Sequence, residues 1–318
     1  MKASDWILGI DTSNYTTSVA LVSASGDIFA NIKRPLPVAE GARGLRQSDA
    51  LFSHVKNLPS AMEELRKVLA GKPLSAIGVS TRPRNAEGSY MPCFLAGVAA
   101  ANSCAAVENV PLFFCSHQCG HLMAALSSAG RFDLLAGTFG AFHVSGGTTE
   151  LLRVQAAEGG FLTELVGGSK DLHAGQVIDR IGVALGLHFP AGPALEALAL
   201  QNTKKIPPYR IAADGCYVNL SGLENLAKKL YTDSGDRSLT AAFVFAYLGD
   251  ALASMARSYR KAYGEGALLF AGGVMCNSIL KARLASEFDA VFAPPLLSAD
   301  NAVGVALLAA RAFSKNSK

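Results

Sequence analysis

Trp6-Ile-Leu-Gly-Ile-Asp-Thr-Ser-Asn-Tyr-Thr-Thr-Ser-Val-Ala-Leu-Val22 decides how the rest of the chain is read. It is a short apolar strand to Ile10, a polar turn over Asp11–Thr16 and a second apolar strand. Gly26-Asp27 then turns the chain into a third strand from Ile28 to Ile32. Alternating apolar runs joined by a turn of small polar residues make a β-hairpin meander. The design returns at Thr138-Phe-Gly-Ala-Phe-His-Val-Ser-Gly-Gly-Thr-Thr-Glu-Leu-Leu-Arg-Val154. Either turn alone reads equally as a plain hairpin tip. Two of them, each opening one half of the chain, are better evidence that these turns hold a ligand. A hydroxyl-rich turn with one acid can hold a phosphate or a metal-bound water. In the second turn the glycines let the backbone come close to a ligand and aim N–H groups at an anion.

Between the hairpins lies Cys115-Ser-His-Gln-Cys-Gly-His121, after the apolar run Val110-Pro-Leu-Phe-Phe114 and before Leu122-Met-Ala-Ala-Leu126. This reads as the end of a buried strand entering a helix. His117 and His121 are four apart, so on a helix both imidazoles share one face and can share one metal ion. A bare pair of this kind is equally read as two partly buried histidines at a helix start. Gln118 stands where a zinc peptidase would carry its general-base Glu, which argues against peptidase chemistry.

The other segments follow an α/β pattern. Gly41 to Leu69 has helical apolar spacing, with Pro59 a point of kinking or division. Ser75–Val79 is a buried strand, Thr81–Ser89 a loop with two arginines, and Met91–Val107 an Ala-rich helix. Asp171–Gly186 is a loop entering a helix, Phe189-Pro-Ala-Gly-Pro193 starts another, and Ser234–Tyr263 contains a long amphipathic helix. Ala267-Leu-Leu-Phe-Ala-Gly-Gly-Val-Met-Cys-Asn277 is strand, Gly-Gly turn and helix start, fit for a flat ring or a phosphate or simply for a tight connection. Ser298-Ala-Asp-Asn301 precedes a last helix, Ala302–Phe313, with Asp300 a helix cap or a metal ligand.

With 318 residues and 50% hydrophobic content the chain can bury one large α/β domain or two lobes. A net charge of +4 permits a nucleic-acid partner without arguing for one. No signal peptide and no apolar run of membrane-spanning length is expected, and the six scattered cysteines form no CxxC pair. The expectation is a cytoplasmic protein with no membrane partner.

Several separated stretches, in order and over almost the whole chain, resemble one family. Ile10-Asp-Thr-Ser13 is similar to the GIETS opening of the tRNA threonylcarbamoyladenosine synthase family (TsaD type, once called O-sialoglycoprotein endopeptidases). SHQCGHL resembles its HHMEGHL, VSGGTTEL its VSGGHTQL and Phe189–Pro193 its YPGGP. Leu220-Ser-Gly-Leu223 resembles FSGL, AGGVMCNSIL resembles AGGVSANRTL, and Ser298–Asn301 resembles CTDN. The resemblance implies the actin-like, sugar-kinase-like ATPase fold, with two related lobes and a nucleotide cleft between them. Residues 1–115 plus 300–318 would form the N-terminal lobe and 116–299 the second.

It also implies one divalent metal ion, iron or zinc, held by His117, His121 and Asp300, gripping the phosphate or carbamoyl end of an adenylate. Val144, Ser145, Gly146, Gly147 and Thr148 would cradle that end. Asp179 and Glu196 would bind ribose hydroxyls, Gly192 and Asn277 would lie beside ribose and base, and Gly272 and Gly273 would let the base approach. Asp11 and Ser13 are the expected catalytic residues of the first turn. The implied activity is acyl transfer: a threonylcarbamoyl or related carbamoyl group passes from an acyl-adenylate to adenosine in tRNA. ATP or the acyl-adenylate is the expected ligand, and tRNA and a protein partner or dimer mate are the expected partners.

The departures concentrate on the acceptor side. The family follows GIETS with an acidic CDET, where this chain has Asn14-Tyr-Thr-Thr17. The family's Gly-rich GPGLxGAL loop is replaced by Arg82-Pro-Arg-Asn-Ala-Glu-Gly-Ser-Tyr90. These changes define the alternative: a regulatory, non-catalytic adenine-nucleotide-binding paralogue that acts through a protein partner.

Overall fold

The computed structural model describes residues 5–13, 15–37, 45–157, 160–293 and 302–316. The chain divides into two compact units: Met1–Phe132 with Ala156–Leu162 and Leu296–Lys318, and Asp133–Gln155 with Thr163–Pro295.

The first unit is built on a five-stranded sheet. Strands β1 (Trp6–Ser13), β2 (Thr16–Ser23) and β3 (Ile28–Pro35) form the antiparallel meander, with Asp11 opposite Ser18 and Thr12 opposite Thr17. Strands β4 (Leu74–Arg82) and β5 (Leu112–Ser116) add in parallel on the other side of β1, giving the order β3-β2-β1-β4-β5. The strand β3 runs on to Pro35, a proline tolerated because β3 is an edge. Helix α1 (Gln47–Leu69) passes through Pro59 undivided, and α2 is Phe94–Glu108. Their apolar faces cover one side of the sheet around Leu8, Ile10, Val19, Leu21, Ile77 and Val79. Helix α3 (His117–Ser128) follows β5 directly and the last helix, α9 (Val303–Asn316), packs on α3 and on β1 and β4. Helix α3 thus belongs to this first compact unit.

The second unit repeats the pattern. Strands β6 (Thr138–Val144) and β7 (Thr149–Ala157) form the second hairpin, and β8 (Gly160–Ser169), which periodicity does not reveal, lies beside β7. Strands β11 (Leu268–Ala271) and β12 (Ala290–Phe292) then add in parallel beside β6. The five strands read β8-β7-β6-β11-β12, which is the third-second-first-fourth-fifth order of the first sheet. The short β9 (Ala213–Asp214) and β10 (Tyr217–Val218) extend it beyond β8.

Helices α4 (Ala174–Ala184), α5 (Gly192–Ala199), α6 (Ser221–Ser234), α7 (Arg237–Tyr263) and α8 (Ser278–Ala285) complete the unit. Helix α7 is long and apolar enough to cross a membrane, which the sequence reading does not anticipate. It is buried on most of its faces, Phe245, Tyr247, Leu248 and Met255 among them, and forms the spine of the second core.

Candidate functional site

The carboxyl ends of β1, β4 and β5 lie side by side in the first unit, and there three expected site residues meet. Ser116 caps α3 by accepting the Cys119 N–H at 3.2 Å, which makes His117 the first helical residue and puts His121 one turn on. Nε2 of His117 and Nε2 of His121 face each other at 2.9 Å, their rings at 83°. The other nitrogen of His117, Nδ1, lies 3.1 Å from both carboxylate oxygens of Asp11. Asp11 is fully buried, and its Oδ1 also accepts a hydrogen bond from Ser80 Oγ on β4. Ser13 Oγ, two residues further along β1, is buried and makes no hydrogen bond among the described residues. Asp300 and Asn14 lie outside the described residues.

A metal ion needs unprotonated donors aimed at one point. A carboxylate on Nδ1 of His117 holds the proton there and leaves its Nε2 lone pair to accept from Nε2–H of His121 at 2.9 Å, a proton that a metal ion would displace. The donor chemistry therefore fits the implied ion. No cluster of three His, Cys, Asp or Glu side chains with metal-binding geometry occurs among the described residues. Burial, then the negative charge of Asp11, pushes the Cys93 thiol up to about 11, and burial raises Cys115 well above its usual value.

Two residues that sequence reasoning passed over brace this region. His54 on α1 is fully buried, and its Nδ1 lies 2.8 Å from Thr17 Oγ1, which also accepts from Asn57 Nδ2 at 3.3 Å. Burial, against the attraction of Asp11, lowers the His54 pKa, so the ring is neutral. Asn85 replaces the flexibility of a glycine loop with a tie. Its Nδ2 donates to the Phe161 carbonyl at 2.9 Å while its Oδ1 accepts from Arg82 at 3.2 Å.

The second unit contains a cavity of about 390 Å³. Six expected residues line it: Gly146, Asp179, Gly192, Glu196, Gly273 and Asn277. Phe189, Cys276 and the helix residue Ile178 join them. The polar groups are partly committed. Glu196 Oε1 accepts from Ser278 N at 2.7 Å and Ser278 Oγ at 2.5 Å, Asn277 Oδ1 accepts from Leu280 N at 2.9 Å, and Asp179 Oδ1 accepts from Ala191 N at 2.8 Å. All three residues line the cavity while fixing helix starts or turns.

Val144, Ser145, Gly147, Thr148 and Gly272 do not line this cavity. They build the turn and strand ends that carry Gly146 and Gly273. Ser145 N donates to Thr148 O at 2.8 Å and closes the turn. Gly175, at the start of α4, donates to Ser145 O at 3.2 Å, and a Cβ there would meet Gly146 Cα at 2.6 Å. Gly272 has φ +101°, and a Cβ on it would lie 2.3 Å from the Val144 carbonyl oxygen, so the absence of a side chain serves β11 against β6.

The sequence profile of TsaD, tRNA N6-adenosine threonylcarbamoyltransferase, matches residues 40–307. A tRNA N6-adenosine threonylcarbamoyltransferase of Streptococcus suis (strain 05ZYH33) is 31% identical over 325 residues, 97% of this chain and 93% of the relative. Full-length HypF in its phosphate- and nucleotide-bound form superposes with a TM-score of 0.60 at 12% identity, covering 100% of this chain and 56% of that one. A ROK family glucokinase from Streptomyces griseus in complex with glucose and AMPPNP gives 0.52 at 13%, covering 96% and 99%. At such identities the structures speak for the fold, which is the actin-like, sugar-kinase-like ATPase fold expected from the sequence. The match of the family profile over most of the chain, and of a relative over nearly all of it, places the protein in the TsaD family of tRNA N6-adenosine threonylcarbamoyltransferases.

Proposed function

We propose that the chain transfers a threonylcarbamoyl, or closely related carbamoyl, group from an acyl-adenylate to the exocyclic N6 of an adenosine in tRNA, in the cytoplasm. Beyond family membership, one observation supports this reading: the two converging imidazoles of His117 and His121, the first backed by a buried carboxylate. A regulatory nucleotide-binding lobe has no use for such a donor pair. An iron or zinc ion held by His117 and His121, with Asp300 as the expected third ligand, would supply positive charge to oxygens that become negative during acyl transfer.

The nucleoside of the adenylate belongs in the cavity of the second unit. Asp179 Oδ2 and Glu196 Oε2 are the oxygens left to accept from ribose hydroxyls, their partner oxygens being held by Ala191 and Ser278. The Gly146 and Gly273 backbone lets a planar base or a phosphate approach without a side chain in the way. In the reaction, N6 attacks the carbamoyl carbonyl carbon. The new C–N bond forms as the C–O bond of the mixed anhydride breaks, AMP leaves with that electron pair, and N6 gives up one proton. No carboxylate stands at Tyr15 or Thr16 to take that proton, so it passes to a phosphate oxygen of the leaving AMP or to water.

The test is incubation of the metal-loaded protein with threonylcarbamoyl-adenylate and unmodified tRNA that reads codons beginning with A. Nucleoside mass spectrometry then looks for threonylcarbamoyladenosine. Product that disappears with His117→Ala supports the reading. Nucleotide and metal binding with no transfer to any tRNA would replace it with the regulatory one.

A further inference from the structure

The two ends of the His117 ring do different work. Nε2 meets His121 at 2.9 Å, while Nδ1 is 3.1 Å from each oxygen of Asp11. An ionised carboxylate only accepts hydrogen bonds, so the ring proton of neutral His117 sits on Nδ1 and the lone pair on Nε2. Asp11 is itself fixed. It is fully buried, and Ser80 Oγ donates to its Oδ1. Ser80 is adjacent because β1 and β4 run in parallel with Ile10 paired to Val79, one residue before each. The order Ser80, Asp11, His117, His121 joins two strand ends and a helix start across residues 69 and 106 apart in sequence.

From this geometry we infer that Asp11, supported by Ser80, is a positioning residue. It sets the tautomer and ring orientation of His117 so that Nε2 is ready to bind a divalent transition-metal ion. Asp11 neither binds the ion nor touches the acceptor. The inference rests on the metal reading above. The competing account is that Asp11 simply ties β1 to β4 and α3. Asp11→Asn separates the two, because the amide keeps the shape and can still bond to both neighbours. Its NH2 group, however, donates to Nδ1 and places the His117 proton on Nε2, where it blocks the metal.

The experiment uses the full chain, freed of metal, with Co(II) alone as the probe, titrated by calorimetry and visible absorption. Wild type is expected to bind one ion and His117→Ala to lose it. Asp11→Asn is expected to bind about 10–100-fold more weakly and Ser80→Ala to weaken binding less, in the same direction. Nitrogen-15 spectra of the metal-free chain give a second readout: His117 protonated at Nδ1 in wild type and at Nε2 in Asp11→Asn. If Asp11→Asn does not fold, Ser80→Ala and the wild-type spectrum carry the test. Asp11→Asn and Ser80→Ala that bind Co(II) like wild type, with His117→Ala still deficient, would leave the metal site standing and overturn the positioning role. Wild type that binds no Co(II) through His117 would overturn both.

Discussion

Gly175→Ala should damage the second unit through a contact that has nowhere to go. Gly175 is the second residue of α4, and its N–H holds the Ser145 carbonyl at 3.2 Å. A Cβ built there falls 2.6 Å from Gly146 Cα, 2.6 Å from Ser145 O and 2.8 Å from Gly146 N. Ordinary carbon contacts lie at about 3.5–4.0 Å, so the overlap is near 1 Å. All three neighbours are backbone atoms of a closed turn, so no side chain can rotate away. Overpacking of this kind costs about 1–3 kcal/mol. For a unit of this size that is a fall in melting temperature of roughly 2–12 °C. The turn must also shift, and Gly146 lines the cavity, so AMP binding should weaken at least several-fold. Gly222→Ala, also at the second residue of a helix, is the matched control, since a Cβ there meets nothing within 4 Å. Thermal unfolding and AMP calorimetry on the two variants decide the matter. A Gly175→Ala protein that melts with wild type and binds AMP equally well would refute the argument that the α4–turn contact is rigid.

Asp171 receives hydrogen bonds from Leu172 N, Leu220 N, Ser221 N and Ser221 Oγ, and these outweigh burial and hold its carboxyl at about 2. Because the folded value is lowered, the stabilisation is full above about pH 4 and is lost as pH falls towards 2. After allowance for solvent screening, Asp171→Asn should cost about 1–2 kcal/mol at pH 7 and progressively less below pH 4, measured by urea unfolding. His54 is buried and its pKa lowered, so the unfolded chain binds the extra proton and wild-type stability should fall as pH drops below about 6.5. His54→Gln should flatten that slope in denaturation series from pH 7.5 to 5.5; an unchanged slope would assign it elsewhere. Asn277→Ala removes the side-chain cap of α8 at a cost of about 1 kcal/mol and should weaken AMP binding, both readable in one thermal-shift titration.

The sequence carried the secondary structure of the site better than its wiring. The strand before Cys115, the helix start at His117 and the four-residue spacing are local, so hydrophobic pattern and helix geometry suffice to place the imidazoles together. The partners that give them chemical meaning are not local. Asp11 reaches His117 across 106 residues, Ser80 reaches Asp11 across 69, and Glu196 reaches Ser278 across 82. No period or motif spacing encodes such pairs, which exist only once parallel strands are in register. The glycine pair at Gly272-Gly273 shows the same divide. The motif marks a close approach, but only the fold shows that Gly272 makes room for Val144 while Gly273 faces the cavity. The long amphipathic helix expected within Ser234–Tyr263 is α7, whose less buried positions Ala246, Asp250, Ser254 and Arg257 recur at helical spacing while packing buries most of the others.

The repeated strand order explains why the chain could diverge at one place and hold at another. In each sheet the first, fourth and fifth strands run parallel, and ligands of open α/β sheets bind beyond the carboxyl ends of such strands. In the first unit those ends deliver Asp11, Ser80 and His117; in the second they deliver the Ser145 turn and the Gly272-Gly273 pair. Asp11, Ser80 and Gly272 are buried and fixed by strand register, so a substitution there disturbs the sheet itself. Tyr15 and Thr16 are placed differently. They lie where the chain turns from β1 into β2, Tyr15 is 44% exposed, and neither takes part in the Asp11–His117 contact. Exchanging a carboxylate for a phenol or a hydroxyl at such a turn leaves the Asp11–His117 contact intact and, on the proposed reading, changes what an incoming acceptor meets. On the proposed reading, Tyr15 and Thr16 are therefore positions where the acceptor side of this fold can vary at little structural cost.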